Sequence, residues 1–151
     1  MSGSNAELVV RLAGDLAEIA RLPALIEDFA ERSGLPAGLA ATLNLVLEEL
    51  VANIVMYGYD EGGAAPPERA IEIRLGRQGD VITLQVEDDA KPFDPLQRDP
   101  PDIDAALDDR EPGGLGIHFV RTLMDTVEYR RVGGRNRLTM TKNAPPSERD
   151  A

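Results

Sequence analysis

Residues 39–57 read LAATLNLVLEELVANIVMY. The stretch contains no glycine or proline, apolar residues predominate, and Gly58 follows as a stop. It is predicted as a helix from Leu39 to about Tyr57. Inside it Glu49 and Asn53 stand four apart and so share one face, on which Val46 and Met56 also fall. A carboxylate and an amide set among apolar neighbours need partners, because burying them unpaired costs about 2–7 kcal/mol each. Backbone hydrogen bonds, a subunit contact or a ligand would each serve, and the pair alone does not choose among them. Glu48 points to another side with Asn44 and Ala52 and reads as a solvent-facing charge.

Working outward, Glu7–Ala13 reads as a short strand. Asp15 can cap the helical run after it, in which Leu16, Ile19, Leu22, Leu25, Ile26 and Phe29 recur at helical spacing to about Arg32. Pro23 would kink that run or divide a lead-in turn from the main helix. Ser33-Gly34 ends it and Pro36 opens the next segment. Beyond the central helix, residues 60–68 form a loop. Ala70–Arg77 and Asp80–Glu87 alternate as a strand pair joined at Gln78-Gly79. Asp88–Pro112 is a long acidic loop with five prolines, and a loop of that length inside a compact domain is usually functional. Gly113-Gly114-Leu115-Gly116 leads into a helix to about Asp125, and Thr126–Val132 and Arg137–Lys142 pair around Gly133-Gly134. The order is strand, helix, helix, two strands, loop, helix, two strands. It implies an α/β two-layer sandwich, a mixed and mainly antiparallel sheet with helices on one face.

Composition narrows the chemistry. The 151 residues suit one domain, expected over 6–142, with disordered ends at 1–5 and 143–151. There is no cysteine, which excludes a disulfide framework, a thiolate nucleophile and a cysteine-ligated metal. One histidine, His118, excludes a multi-histidine centre within one chain and reads as a structural residue. A net charge of -11 disfavours nucleic acid and anionic membrane as partners. No apolar run approaches the roughly 18–20 residues of a membrane span. The N-terminus lacks the basic start of a signal peptide, so a cytoplasmic protein is expected.

Two further features could carry chemistry. The strand ending Val86-Glu87-Asp88 offers a carboxylate that would accept hydrogen bonds from an amine-bearing ligand, or close an Asx turn. The glycines at 113, 114 and 116 precede a helix whose first-turn amides could meet an anion. Neither a P-loop lysine nor a preceding strand accompanies them, so this is neither a Walker nor a Rossmann fingerprint.

Together LEELVANIVMYGY (47–59), VEDDAKPFDP (86–95), GGLGIHFVRTLMDTVEY (113–129) and GRNRLTMTK (134–142) make one ordered pattern. Over about residues 6–142 it resembles the Bergerat-fold (GHKL) ATPases, most closely the RsbW/SpoIIAB-type anti-sigma factors with serine-protein-kinase activity. The resemblance implies ATP and magnesium as cofactors. It implies that Asn53 coordinates magnesium on the nucleotide phosphates, and that Glu49 is the catalytic acceptor of the proton of the substrate serine hydroxyl or of an attacking water. Asp88 is implied to take a hydrogen bond from the adenine amino group. Gly113, Gly114, Leu115 and Gly116 would bring backbone amides to the phosphates, and residues 96–112 would form the lid over them. Ala90 stands where the family carries glycine. If that position needs a positive φ, alanine costs on the order of 1 kcal/mol; if it lies beside the adenine, the methyl narrows the pocket.

The implied function is an ATP-dependent serine-protein kinase and anti-sigma-type regulator. It would phosphorylate a STAS-domain antagonist and sequester a sigma factor or similar target, as a homodimer without direct nucleic-acid or membrane contact. The alternative is a nucleotide-binding module that sequesters its partner with little or no transfer.

Overall fold

The computed structural model describes residues 6–13, 15–58, 70–92 and 120–144. The expected glycine box, the lid, His118, the loop at 60–68 and both chain ends beyond these bounds lie outside the described residues.

The chain opens with β1, Ala6–Ala13. Asp15 caps the next element, its carboxylate accepting from the Ala17 N–H at 2.9 Å, but that element is a 3-10 helix over Leu16–Arg21. Pro23 therefore divides and does not kink: it sits in the first turn of α1, Leu22–Ser33, where its missing N–H costs nothing. Gly34 closes α1 at φ 71°, a left-handed cap that glycine adopts without a Cβ penalty. The Pro36 carbonyl then accepts from Leu39 and Ala40 and starts α2, Ala37–Asn53.

The helix predicted to run to Tyr57 stops being α-helical at Asn53. Ile54–Gly58 continues as a π-type turn, and the Ile54 N–H reaches both the Leu50 and Val51 carbonyls. Contrary to the expectation that no segment reaches a span, Ala37–Met56 is long and apolar enough to cross a membrane by length and composition. Its Leu43, Val46, Leu47, Leu50 and Val51 are instead buried in the protein core.

β2, Ala70–Gln78, and β3, Val81–Asp88, form a hairpin whose turn is Gly79-Asp80, one residue later than expected. Residues 120–123 are helical, two residues short of the expected end at Asp125. β4, Thr126–Val132, turns at Gly133 and Gly134, with φ of 56° and 78°, into β5, Arg135–Asn143. Two successive positive φ values are what a two-residue hairpin turn with the sheet's own twist requires. That turn makes Arg135 pair at once with Val132, so β5 begins two residues before the expected Arg137. β5 runs to Asn143, and Ala144 is buried with its N–H on the Asp80 carbonyl at 2.7 Å. The sheet thus takes in Asn143, the first residue of the stretch read as a tail, and Ala144 is tied to the β2–β3 turn.

The sheet order is β1-β2-β3-β5-β4 and all four pairings are antiparallel, so no parallel pair occurs among the described strands. Register places inward side chains in rows across it. One row is Val10, Ile73, Val86, Leu138 and Tyr129; the next is Leu8, Leu75, Leu84, Met140 and Val127. These meet Phe29, Ile26 and Leu47 from the helices in one apolar core. The opposite face is polar: Arg11, Glu72, Glu87 and Arg137 stand abreast, with ion pairs Arg11–Glu72 at 3.2 Å and Arg137–Glu87 at 2.9 Å. Hydrogen bonds from Arg74 and then Arg11 hold the Glu72 carboxyl below its usual range. The described helices therefore all cover one face, as the alternation implied.

The inward face is polar at both ends. At one end Arg77, 2% exposed, donates to the Ser33 carbonyl at 2.8 Å and the Gly79 carbonyl at 2.9 Å. At the other end lies the row Leu12, Ile71, Asp88, Asn136 and Arg131.

Candidate functional site

The second polar end is built around Asp88, the last residue of β3 and 4% exposed. An inward position at a strand end would ordinarily be apolar. Here the carboxylate oxygen Oδ1 accepts from the Ala90 N–H at 2.9 Å, closing an Asx turn that leads the chain off the sheet. Oδ1 also accepts from Asn136 Nδ2 at 2.9 Å. Among the described residues no donor meets Oδ2. Burial pushes the Asp88 carboxyl above its usual range; the bonds from Asn136 and Ala90 pull it back, Asp89 adds to the rise and Arg131 opposes it. The group is a desolvated acceptor with one oxygen tied down, suited to a ligand that brings its own N–H.

Ala90 is buried, and its backbone works twice, as donor to Asp88 and as acceptor from Arg131 Nη1 at 2.9 Å. The turn forms with alanine in the family's glycine position.

On α2, Glu49 and Asn53 are both half-buried. The gradient around the helix explains this. Val46 on one side of the pair is fully buried, and Met56 on the other is 54% exposed. The four do not share one environment as the uniform 100° spacing implied, because the pair straddles the core boundary and the π-type turn breaks the phase before Met56. Glu48, Asn44 and Ala52 are half-buried rather than solvent-facing, since α2 is covered on more than one side. No described hydrogen bond joins Asp88 to α2. The structure therefore links Asp88 with Ala90 directly, and places Glu49 and Asn53 one turn apart on a separate element.

Three residues of this region, Asn136, Tyr129 and Arg131, were given no role by the sequence, although Asn136 and Tyr129 lie within two of the four quoted segments. Asn136, 7% exposed, donates from Nδ2 to Asp88 and to the Lys91 carbonyl at 2.8 Å. Its Oδ1 accepts from the Tyr129 hydroxyl at 2.6 Å and from Arg131 Nη1 at 3.1 Å. The available signal was a polar residue in phase with Leu138 and Met140 on β5; placing the strand start at Arg137 hid that phase.

The family model of the histidine kinase-like ATPase domain matches residues 12–142. The chain belongs to that family. Among curated relatives, the serine/threonine-protein kinase BtrW of Bordetella bronchiseptica is 33% identical over 121 residues, covering 80% of this chain and 82% of that protein. The serine-protein kinase RsbW of Halalkalibacterium halodurans is 27% identical over 140 residues, covering 90% of this chain and 81% of that one. The crystal structure of the RsbU and RsbW domains of a Mycobacterium tuberculosis protein matches with TM-score 0.63 over 94% of this chain, at 14% identity. This chain spans 33% of that protein, and the likeness speaks for the fold alone. The GHKL, RsbW-type resemblance read from the four sequence segments is thereby supported by family, relatives and fold.

Proposed function

We propose that this protein is an ATP-dependent serine-protein kinase of a partner-switching system. It transfers phosphate to a serine of a STAS-domain antagonist and holds a sigma factor or similar target. The observation that carries the reading is the Glu49–Asn53 pair on α2: a carboxylate and an amide stand one turn apart and half-buried at the core boundary, on a different side from the half-buried Asn44 and Glu48. The kinase names of two relatives spanning most of the chain support it.

Phosphoryl transfer asks the protein chiefly for positioning and charge neutralisation. The serine oxygen attacks the γ-phosphorus, the bond from that phosphorus to the bridging oxygen breaks, and ADP leaves with the electron pair. Glu49 takes the serine proton. Asp88 accepts from the adenine amino group through Oδ2. Asn53 would hold magnesium by its amide oxygen, together with phosphate oxygens and water. That shared ligation suits the chemistry of the donors, since magnesium takes oxygen ligands, keeps several waters and is commonly shared with substrate phosphates. Bound there, the ion neutralises phosphate charge. Gly113, Gly114, Leu115 and Gly116 would supply backbone amides to the phosphates, and 96–112 the lid. The cytoplasm is the setting that goes with this reading.

Glu49→Ala separates binding from transfer. Calorimetry should show ATP affinity within about twofold of the parent, while labelled phosphate no longer passes from ATP to the STAS-domain serine; a loss of about 100-fold or more is expected of a removed general base. Transfer at the parental rate in that variant would reject the role of Glu49. No transfer by the parent itself, with ATP bound, would favour the nucleotide-binding sequestering module instead.

A further inference from the structure

We infer that Asn136, backed by Tyr129 and Arg131, is the positioning residue that fixes adenine selectivity, by locking the carboxylate of Asp88 with a single oxygen presented to the base. The inference rests on the nucleotide reading of Asp88 and extends it to residues to which the sequence assigned no role.

An asparagine side chain has two N–H donors and one oxygen with two lone pairs. At Asn136 all four are engaged: Nδ2 on Asp88 Oδ1 and the Lys91 carbonyl, and Oδ1 under the Tyr129 hydroxyl and the Arg131 guanidinium. Nothing is left over for a ligand, so the residue acts through what it holds. Its orientation is also fixed. Arg131 can only donate, so the oxygen must face it; a carboxylate and a carbonyl can only accept, so the amide nitrogen must face Asp88 and Lys91.

The consequence is geometric. Three groups of the turn, Asp88 Oδ1, the Ala90 carbonyl and the Lys91 carbonyl, are tied to β5 or β4 through Asn136 and Arg131. Rotation of the Asp88 carboxylate would break its bonds to both Ala90 and Asn136. Oδ2 is held in place as a lone acceptor. An acceptor held so favours the 6-amino group of adenine and repels the 6-oxo group of hypoxanthine or guanine. A site built to accept a hydrogen bond discriminates sharply against a ligand that brings another acceptor.

The test is the ratio of ATP to ITP affinity, measured calorimetrically on the full chain. Asn136→Leu keeps the approximate volume and removes all four bonds. The ratio should fall by about tenfold, most of the loss being in ATP, since a bond to a charged acceptor is worth about 1.5–3 kcal/mol and 1.4 kcal/mol is tenfold. Tyr129→Phe removes one hydroxyl and leaves the amide donors in place. It should fold as the parent does and lower the ratio by about two- to threefold, and it serves as the readout if Asn136→Leu does not fold. A purely structural role would weaken both nucleotides equally and leave the ratio unmoved. Parental ratios in Asn136→Leu, or in Tyr129→Phe where only that variant folds, overturn the inference if Asp88→Asn abolishes the preference. A parent that does not prefer ATP, or a preference surviving Asp88→Asn, overturns the reading of Asp88 and the inference with it.

Discussion

Asp88 is a charge that the folded chain accommodates at a cost. Its carboxyl is raised above the ordinary 3.8, burial being the largest cause. A raised value means that the folded state binds the proton more tightly than the unfolded state. The penalty is therefore absent below the unfolded value and is complete once the pH exceeds the folded one. Asp88→Asn removes the charge yet keeps an oxygen for the Ala90 and Asn136 donors. Urea unfolding of the nucleotide-free variant should show a higher midpoint than the parent near pH 7, with the gap closing below about pH 4. A parental midpoint at both pH values would refute the cost. The same substitution should abolish the preference for ATP, a trade of function against stability common at binding sites. At this scale the sequence displayed Glu49, Asn53 and Asp88, because a polar residue in an apolar run or at a strand end is conspicuous. It concealed Asn136 because its meaning lies in partners 5, 7 and 48 residues away.

At the scale of elements, boundaries were harder to read than identities. The strands and both main helices follow from periodicity, but the π-type turn after Asn53 has no pattern that apolar spacing reveals. The 3-10 helix before Pro23 has the same apolar spacing as an α-helix over so short a run. Arg77 illustrates the opposite failure: an arginine in phase with Ile71, Ile73 and Leu75 is buried because α1 ends above it. Its guanidinium meets the Ser33 carbonyl where the helix dipole is negative. Arg77→Ala should cost about 2–4 kcal/mol, read as a lower urea midpoint with an unchanged slope. Nucleotide affinity should stay at the parental value, because Arg77 pairs with Ile82, six residues and about 20 Å of strand from Asp88. A loss below about 0.5 kcal/mol would show that the buried guanidinium caps nothing of consequence.

For the whole molecule, a one-sided sheet sets the arrangement. Alternation on β2, β3 and β5 puts the apolar rows under α1 and α2 and leaves the charged row of Arg11, Glu72, Glu87 and Arg137 to water. The two-layer class was legible from that alternation. The strand order, with β5 inserted between β3 and β4, was not, because pairing partners are set by packing across the chain and not by any local signal. That insertion is what brings Asn136 beside Asp88. The central claim is that the Asp88 end of the sheet and the α2 pair together serve ATP. Calorimetric titration of the full chain with ATP, with and without magnesium, alongside Asn53→Ala, tests it most directly. Saturable, magnesium-dependent binding is expected in the parent, and its loss in the variant; no binding at millimolar ATP in the parent would contradict the claim.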